Sequence, residues 1–204
     1  MTVDLHQGDL PDRLTFGDSV AVDTETMGLD PRRDRLCLVQ LSAGDGNCHL
    51  VQFAQGRYDA PNLKRLLTDP VVTKLFHFAR FDMATLRRHL GIDCRPIYCT
   101  KIASRLTRTY TDRHGLKDLC KELLGVDLSK QQQSSDWGRS TLSKEQIEYA
   151  ASDVLYLHRI RDILNDMLRR ESRMPLAEAA FAFLPTRVAL DLGGFGDVDI
   201  FAHS

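Results

Sequence analysis

An α/β domain with a mixed sheet flanked by helices is predicted by three features of this 204-residue chain. Apolar runs joined by a glycine-rich turn come first, strand–helix alternation follows, and the second half is mostly helical in pattern. The length suits one domain with a substantial hydrophobic core.

Residues 20–24 read as a buried strand running into Asp23-Thr24-Glu25-Thr26. The runs 35–42 (RLCLVQLS) and 47–53 (NCHLVQF) flank Ala43-Gly44-Asp45-Gly46, a hairpin signal, so the sheet starts antiparallel. Residues 61–68 are helical in pattern, with Pro61 near the start. A strand over 73–78 precedes a helix over 80–90, which Gly91 stops. Helices follow at roughly 100–108, 115–124, 143–170 and 175–190. The long helix at 143–170 is the best defined. Ser143 and Gln146 form a capping box, and Ile147, Ala151, Val154 and Leu157 make an apolar stripe at helical spacing. One domain over 1–190 and a glycine-rich tail over 191–204 account for the chain. The tail carries Phe195, Val198, Ile200 and Phe201 in a stretch too short for its own core. Burying each contributes about 1.5–3 kcal/mol. A neighbouring subunit or the tail's own domain can cover them.

Composition excludes several classes. Apolar residues make up 43% and charged residues 27%, ordinary values for a globular protein. No apolar run is long enough for a membrane span, and the N-terminus has no secretory pattern. Five scattered cysteines without a Cys-x-x-Cys pair suggest reduced thiols in the cytoplasm, not a disulfide framework or zinc site. The net charge of −1 lacks the basic surplus of a protein that clamps long nucleic acid. Any nucleic-acid contact is therefore local, or the substrate is short.

Four acidic residues carry the chemical signal. Asp23 and Glu25 alternate with Thr24 on a strand, so both carboxylates point to one side. Two carboxylates that close repel unless a cation sits between them. Asp82 falls in the first turn of its helix, where the dipole favours an acid. Tyr149 and Asp153 share a helix face one turn apart. Each fragment alone also reads as a solvated strand end or a polar helix face. Together they supply the oxygen ligands that Mg²⁺ or Mn²⁺ prefers, and two such cations suit in-line phosphoryl displacement. Tyr149 is then placed to orient the attacking water.

The runs Val22-Asp23-Thr24-Glu25-Thr26-Met27-Gly28-Leu29, His77-Phe78-Ala79-Arg80-Phe81-Asp82 and Tyr149-Ala150-Ala151-Ser152-Asp153 resemble the three exonuclease motifs of the DEDD superfamily, in its tyrosine variety. The resemblance spans nearly the whole chain and is closest to the ribonuclease D-like branch, whose loop before the last helix KQQQSSDWG (130–138) resembles. Within that branch, CTKIASRLTRTYTDRHGLKDLC, QIEYAASDVLYLHR and DIFAHS look like its compact nanoRNase group. His77 stands where the commonest second motif has Asn, a change expected to alter the geometry around the ligands rather than the metal count. The resemblance implies a ribonuclease H-like DEDD exonuclease fold with a five- or six-stranded mixed sheet. It also implies no helical accessory domain, two divalent cations, and a ring-shaped homo-octamer. The implied activity is 3′–5′ hydrolysis of very short RNAs, dinucleotides above all, to nucleoside 5′-monophosphates. General trimming of longer RNA or DNA is the alternative. A non-catalytic nucleic-acid-binding module fits poorly, since all four carboxylates and the tyrosine are present.

Substrate contacts are less determined. The resemblance implies that Leu29 wedges against bases, whereas core packing is the ordinary role of a loop leucine. Thr24, His77 and Phe81 flank the acidic residues and are candidates for sugar or base contact. Lys101, Arg105 and Arg108 recur at helical spacing, with Arg113, His114 and Lys117 close behind. That stripe reads as a phosphate-binding surface, a solvated face or a subunit contact. Gln133, Ser134 and Ser135 offer hydrogen bonds to a terminal phosphate, and Trp137 offers a stacking face or a structural anchor.

Overall fold

In the computed structural model, residues 2–129 and 131–203 are described; Met1, Lys130 and Ser204, the last two within segments quoted above, lie outside them. Among the described residues the sheet has six strands. In chain order they are β1 (Val3–Gln7), β2 (Ser19–Thr26), β3 (Leu36–Ser42), β4 (Cys48–Gln52), β5 (Thr73–Phe76) and β6 (Ile97–Cys99). The spatial order is β1-β4-β3-β2-β5-β6. The β3–β4 hairpin and the β2–β3 pair are antiparallel, and the other three pairs are parallel. Every residue of β3 is buried. A strand apolar on both faces belongs in the middle of a sheet covered on both sides.

The helices are α1 (Pro61–Thr68), α2 (Ala79–Leu90), α3 (Thr100–Thr107), α4 (Leu116–Leu119), α5 (Lys144–Leu155), α6 (Leu157–Arg170) and α7 (Met174–Leu190). A π-helical stretch, Cys120–Leu124, continues α4, and a second, Asp191–Phe195, follows α7. Pro61 opens α1, and α2 ends at Gly91 in the left-handed region, where its N–H donates to Arg87 O. Among the described residues, no helix is long and apolar enough to cross a membrane. The five cysteines are free and buried.

Three expectations need correction. The single helix over 143–170 is two, broken at Tyr156 (φ −104°, ψ −7°). That residue stays near helical space, so the apolar stripe passes across the break with little change of phase, Val154 and Leu157 both being buried. The edge strands β1 and β6 were not anticipated. β6 has only three residues and follows Pro96, and β1 offers only two apolar residues, Val3 and Leu5, of which Leu5 is exposed. Arg108 does not extend a basic stripe. It is fully buried, paired with Glu122, and donates to Ser104 Oγ at 3.0 Å and to Arg113 O at 2.7 Å.

Candidate active site

β2 presents Asp23 and Glu25 near its end. Gln40 lies opposite Asp23 on β3 and donates from Nε2 to Asp23 Oδ2 at 3.2 Å. The β2–β3 register slips between Glu25 and Thr26. Such irregularities re-aim side chains beside functional sites. α5 packs over β2, β3 and β4 and brings in Tyr149 and Asp153. Its start is fixed by the capping box, and Gln146 also donates to Ser135 Oγ at 3.0 Å and Asp136 O at 3.1 Å. One side chain therefore ties the loop before α5 to the helix that carries Tyr149.

Asp23, Glu25 and Asp153 each offer an oxygen, and these oxygens lie within 4.8 Å of one another. Asp82 comes from the first turn of α2, is only 3% exposed, and accepts from Thr24 Oγ1 at 2.7 Å. Thr24 thus binds the fourth carboxylate, while its two neighbours on β2 belong to the group of three.

Burial pushes all four carboxyls above their usual range. For Asp23, Asp82, Asp153 and Glu25 add like charge. Glu25 is raised to about 9, by burial first and then by Asp153 and Asp82. Asp82 and Asp153 are each raised to about 7, mainly by burial. A set of hard oxygen donors that resists carrying its own negative charge fits a divalent cation. Asp23, Glu25 and Asp153 would hold it, with Asp82 alongside.

The folded-state pKa of these acids lies above the unfolded value of about 4. Their contribution is therefore fully present below that value and is lost as pH rises toward about 9. The cation-free protein should melt at progressively lower temperature from pH 5 to about 9. Added Mg²⁺ or Mn²⁺ should raise Tm little at pH 5 and by about 5–10 °C near pH 8.5, if the cation is about 100-fold above its Kd. Differential scanning fluorimetry across pH, with and without cation, checks this. A cation shift independent of pH contradicts it.

The carboxylates open into a cavity of about 660 Å³. Thr24, Leu29, His77, Phe81, Lys101, Gln133, Ser134, Trp137 and Tyr149 also line it. Arg105 does not, and sits exposed on α3. Leu29 is 87% exposed, which rules out core packing as its role. Trp137 is only 2% exposed and its ring lies 6.0 Å from that of Tyr149, so it backs the tyrosine more than it offers a free face. His77 Nδ1 is 2.9 Å from Thr100 Oγ1, which joins the second motif to the start of α3.

Phe78, Leu116, Leu128 and Ser129 line the cavity and were not singled out from sequence. Only Phe78 left a signal, as the motif residue next to His77. It adopts a left-handed conformation (φ 72°, ψ 46°) that costs a bulky residue about 1–3 kcal/mol, and Lys101 Nζ sits 4.3 Å above its ring.

With this geometry in place, known proteins give consistent matches. The profile of a 3′–5′ exonuclease family matches residues 9–169. Ribonuclease D of Granulibacter bethesdensis is 33% identical over 165 residues, covering 81% of this chain and 41% of that protein. The chain thus spans less than half the length of that relative. Among solved structures, Brucella melitensis NrnC with bound Mg²⁺ superimposes with a TM-score of 0.96 at 56% identity, covering 100% of both chains. The same protein bound to pGG gives 0.97 at 56% identity, again over 100% of both chains.

Proposed function

This chain belongs to the 3′–5′ exonuclease family, in its ribonuclease D and NrnC branch, and from that premise we propose that it degrades very short RNAs, dinucleotides first, to nucleoside 5′-monophosphates. The observation that carries the proposal is the gathering of Asp23, Glu25, Asp82, Asp153 and Tyr149 on the wall of one cavity. Bound at the carboxylates, two divalent cations, Mg²⁺ or Mn²⁺, would supply positive charge to activate water and stabilise the leaving oxygen.

The chain's own residues do the rest. Asp23, Glu25 and Asp153 hold the ligand oxygens at fixed spacing from β2 and α5. Gln40 and Thr24 orient Asp23 and Asp82. Tyr149 is kept as a neutral phenol, raised above its ordinary pKa by burial and then by the neighbouring carboxylates. A neutral phenol orients the attacking water by hydrogen bonding and does not itself remove a proton.

Size and charge support the short substrate. A cavity of about 660 Å³ lies in the range of about 300–1,000 Å³ that encloses small ligands. A net charge of −1 gives no long-range grip on a polyanion. Brucella melitensis NrnC has been solved with pGG, a ligand of this class. Leu29 at the rim wedges against bases, while Gln133, Ser134 and Lys101 meet phosphate or sugar.

The segment over 191–204 packs at a subunit interface of a homo-octamer that works in the cytoplasm. Support comes from Phe195, Val198, Ile200 and Phe201, which stay exposed although the Phe201 ring lies tilted 6.1 Å from that of Phe183. Single-turnover cleavage of RNAs from 2 to 20 nucleotides tests the substrate assignment. A dinucleotide rate about 100-fold above that of a 20-mer is expected. Equal rates contradict the assignment and favour a general trimming exonuclease.

A further inference from the structure

The start of α2 is held by a contact that runs from the second motif to the segment after α7. Arg80, two residues before Asp82, donates from Nε to Asp191 Oδ2 at 2.6 Å and from Nη2 to Asp191 Oδ1 at 2.7 Å. Arg80 Nη2 also reaches Gly196 O at 3.1 Å. Arg187 approaches the same carboxylate, with Nη2 3.1 Å from Asp191 Oδ1, and also donates to Gly196 O. Two guanidinium groups therefore hold one carboxylate and one carbonyl of the segment that follows α7. A bidentate pair fixes direction as well as distance, which a single contact cannot.

Thr24 holds Asp82 from β2, and the Arg80 pair ties the same turn to the segment after α7. Phe78 enters the helix in the left-handed region, and no side chain caps the first turn. The one turn contains Arg80, Phe81 and Asp82. A groove of about 320 Å³ runs between the Leu29 loop and the segment after α7. Its lining includes Arg80, Asp191 and Gly196, and it shares Leu29, Phe78 and Phe81 with the active-site cavity.

We propose that Arg80 and Asp191 form a positioning clamp that sets the orientation of the first turn of α2, and through it Asp82 and Phe81. The clamp ties the segment assigned above to subunit contact to the helix that carries a cation-binding carboxylate. This inference rests on the reading of Asp82 as such a carboxylate. Neither Arg80 nor Asp191 lines the active-site cavity. A displacement on the ångström scale at a positioned group costs up to about 100-fold in rate, so the loss expected lies between about 10- and 100-fold.

The test uses Arg80→Ala, Arg80→Lys, Asp191→Ala and the charge exchange Arg80→Asp with Asp191→Arg. Each is assayed for kcat and KM on a diribonucleotide, and for Mn²⁺ affinity by calorimetry without RNA. Arg169→Ala, at an exposed pair with Asp166, is the control that leaves both readouts unchanged. The clamp is expected to show as a fall in kcat of about 10-fold or more in Arg80→Ala and Asp191→Ala, with KM within about twofold, and as Mn²⁺ affinity weakened several-fold. Arg80→Lys keeps the charge but loses the fork, so an intermediate loss is expected, and it carries the test if Arg80→Ala does not fold. Charge exchange restores an opposite-charge pair between positions 80 and 191 but sets Arg187 against a second guanidinium, so only partial recovery of the lost kcat is expected. Unchanged kcat and unchanged Mn²⁺ affinity in folded single variants overturn the proposal. Wild-type protein that binds Mn²⁺ yet cleaves no RNA removes the assigned function, and the Mn²⁺ series then still decides the clamp.

Discussion

Asp23→Asn should lower kcat by more than about 10³-fold and, in the absence of cation, make the protein more resistant to heat. The first effect follows from the geometry. Asp23 supplies one of three oxygens within 4.8 Å of each other. Loss of a group that only supports a ligand costs about 10–100-fold, and loss of the ligand itself costs more. The second effect follows from the electrostatics. Asp23 is raised well above the ordinary carboxylate range by burial and by Asp82, Asp153 and Glu25. At pH 8 the folded state must either hold a proton there against solution or bury another negative charge beside those of Asp82 and Asp153. Asparagine has nearly the same shape and removes that cost. Each kcal/mol relieved raises Tm by about 2–4 °C in a chain of this size, so a rise of about 5 °C is expected in EDTA at pH 8. Addition of Mn²⁺ should then raise Tm in the wild type and much less in the variant. Functional sites commonly store instability in this way. Parallel melting and kinetic measurements check both halves. A variant that is slow but also less stable without cation would show that Asp23 is mainly structural.

Tyr149→Phe should reduce kcat by about 10²-fold with KM within about twofold. The ring would stay in place, because it packs near Trp137 at 6.0 Å and the helix beneath it is fixed by the Ser143–Gln146 capping box. Only the hydroxyl is lost. Since burial keeps that phenol neutral, its removal should lower the pH–rate profile without changing its shape. Steady-state kinetics from pH 6 to about 9 provide the check. Full kcat in the variant contradicts a role for the hydroxyl. A profile that loses its alkaline limb assigns it a proton-transfer step instead.

The parts of the fold that were legible have strong local causes. The hairpin around Gly44 and Gly46 needs turn residues, α1 needs a proline at its start, and α5 needs Ser143 and Gln146, and all of these can be read from the chain. The acidic quartet was legible for a similar reason. Period-two alternation puts Asp23 and Glu25 on one face, and helical spacing puts Tyr149 and Asp153 on another. What was not legible depends on distant partners. Arg108 looks like one more basic surface residue until Glu122, Ser104 and Arg113 surround it. Arg80 looks like a solvated motif residue until Asp191 meets it across 111 positions of chain. The break at Tyr156 leaves the apolar period nearly in phase, so no pattern marks it. Phe78 reaches the cavity through a backbone conformation that composition does not announce.

The carboxylate quartet should perform cation-dependent hydrolysis from the 3′ end of RNA. The most direct measurement follows a 5′-labelled pentaribonucleotide in Mg²⁺, in Mn²⁺ and in EDTA, with Asp23→Ala alongside. A ladder is expected that shortens by one nucleotide at a time from the unlabelled end, ending in labelled mononucleotide. No cleavage is expected in EDTA or by the variant. Labelled mononucleotide released at once, internal cuts, or cleavage that persists in EDTA or in Asp23→Ala would contradict it.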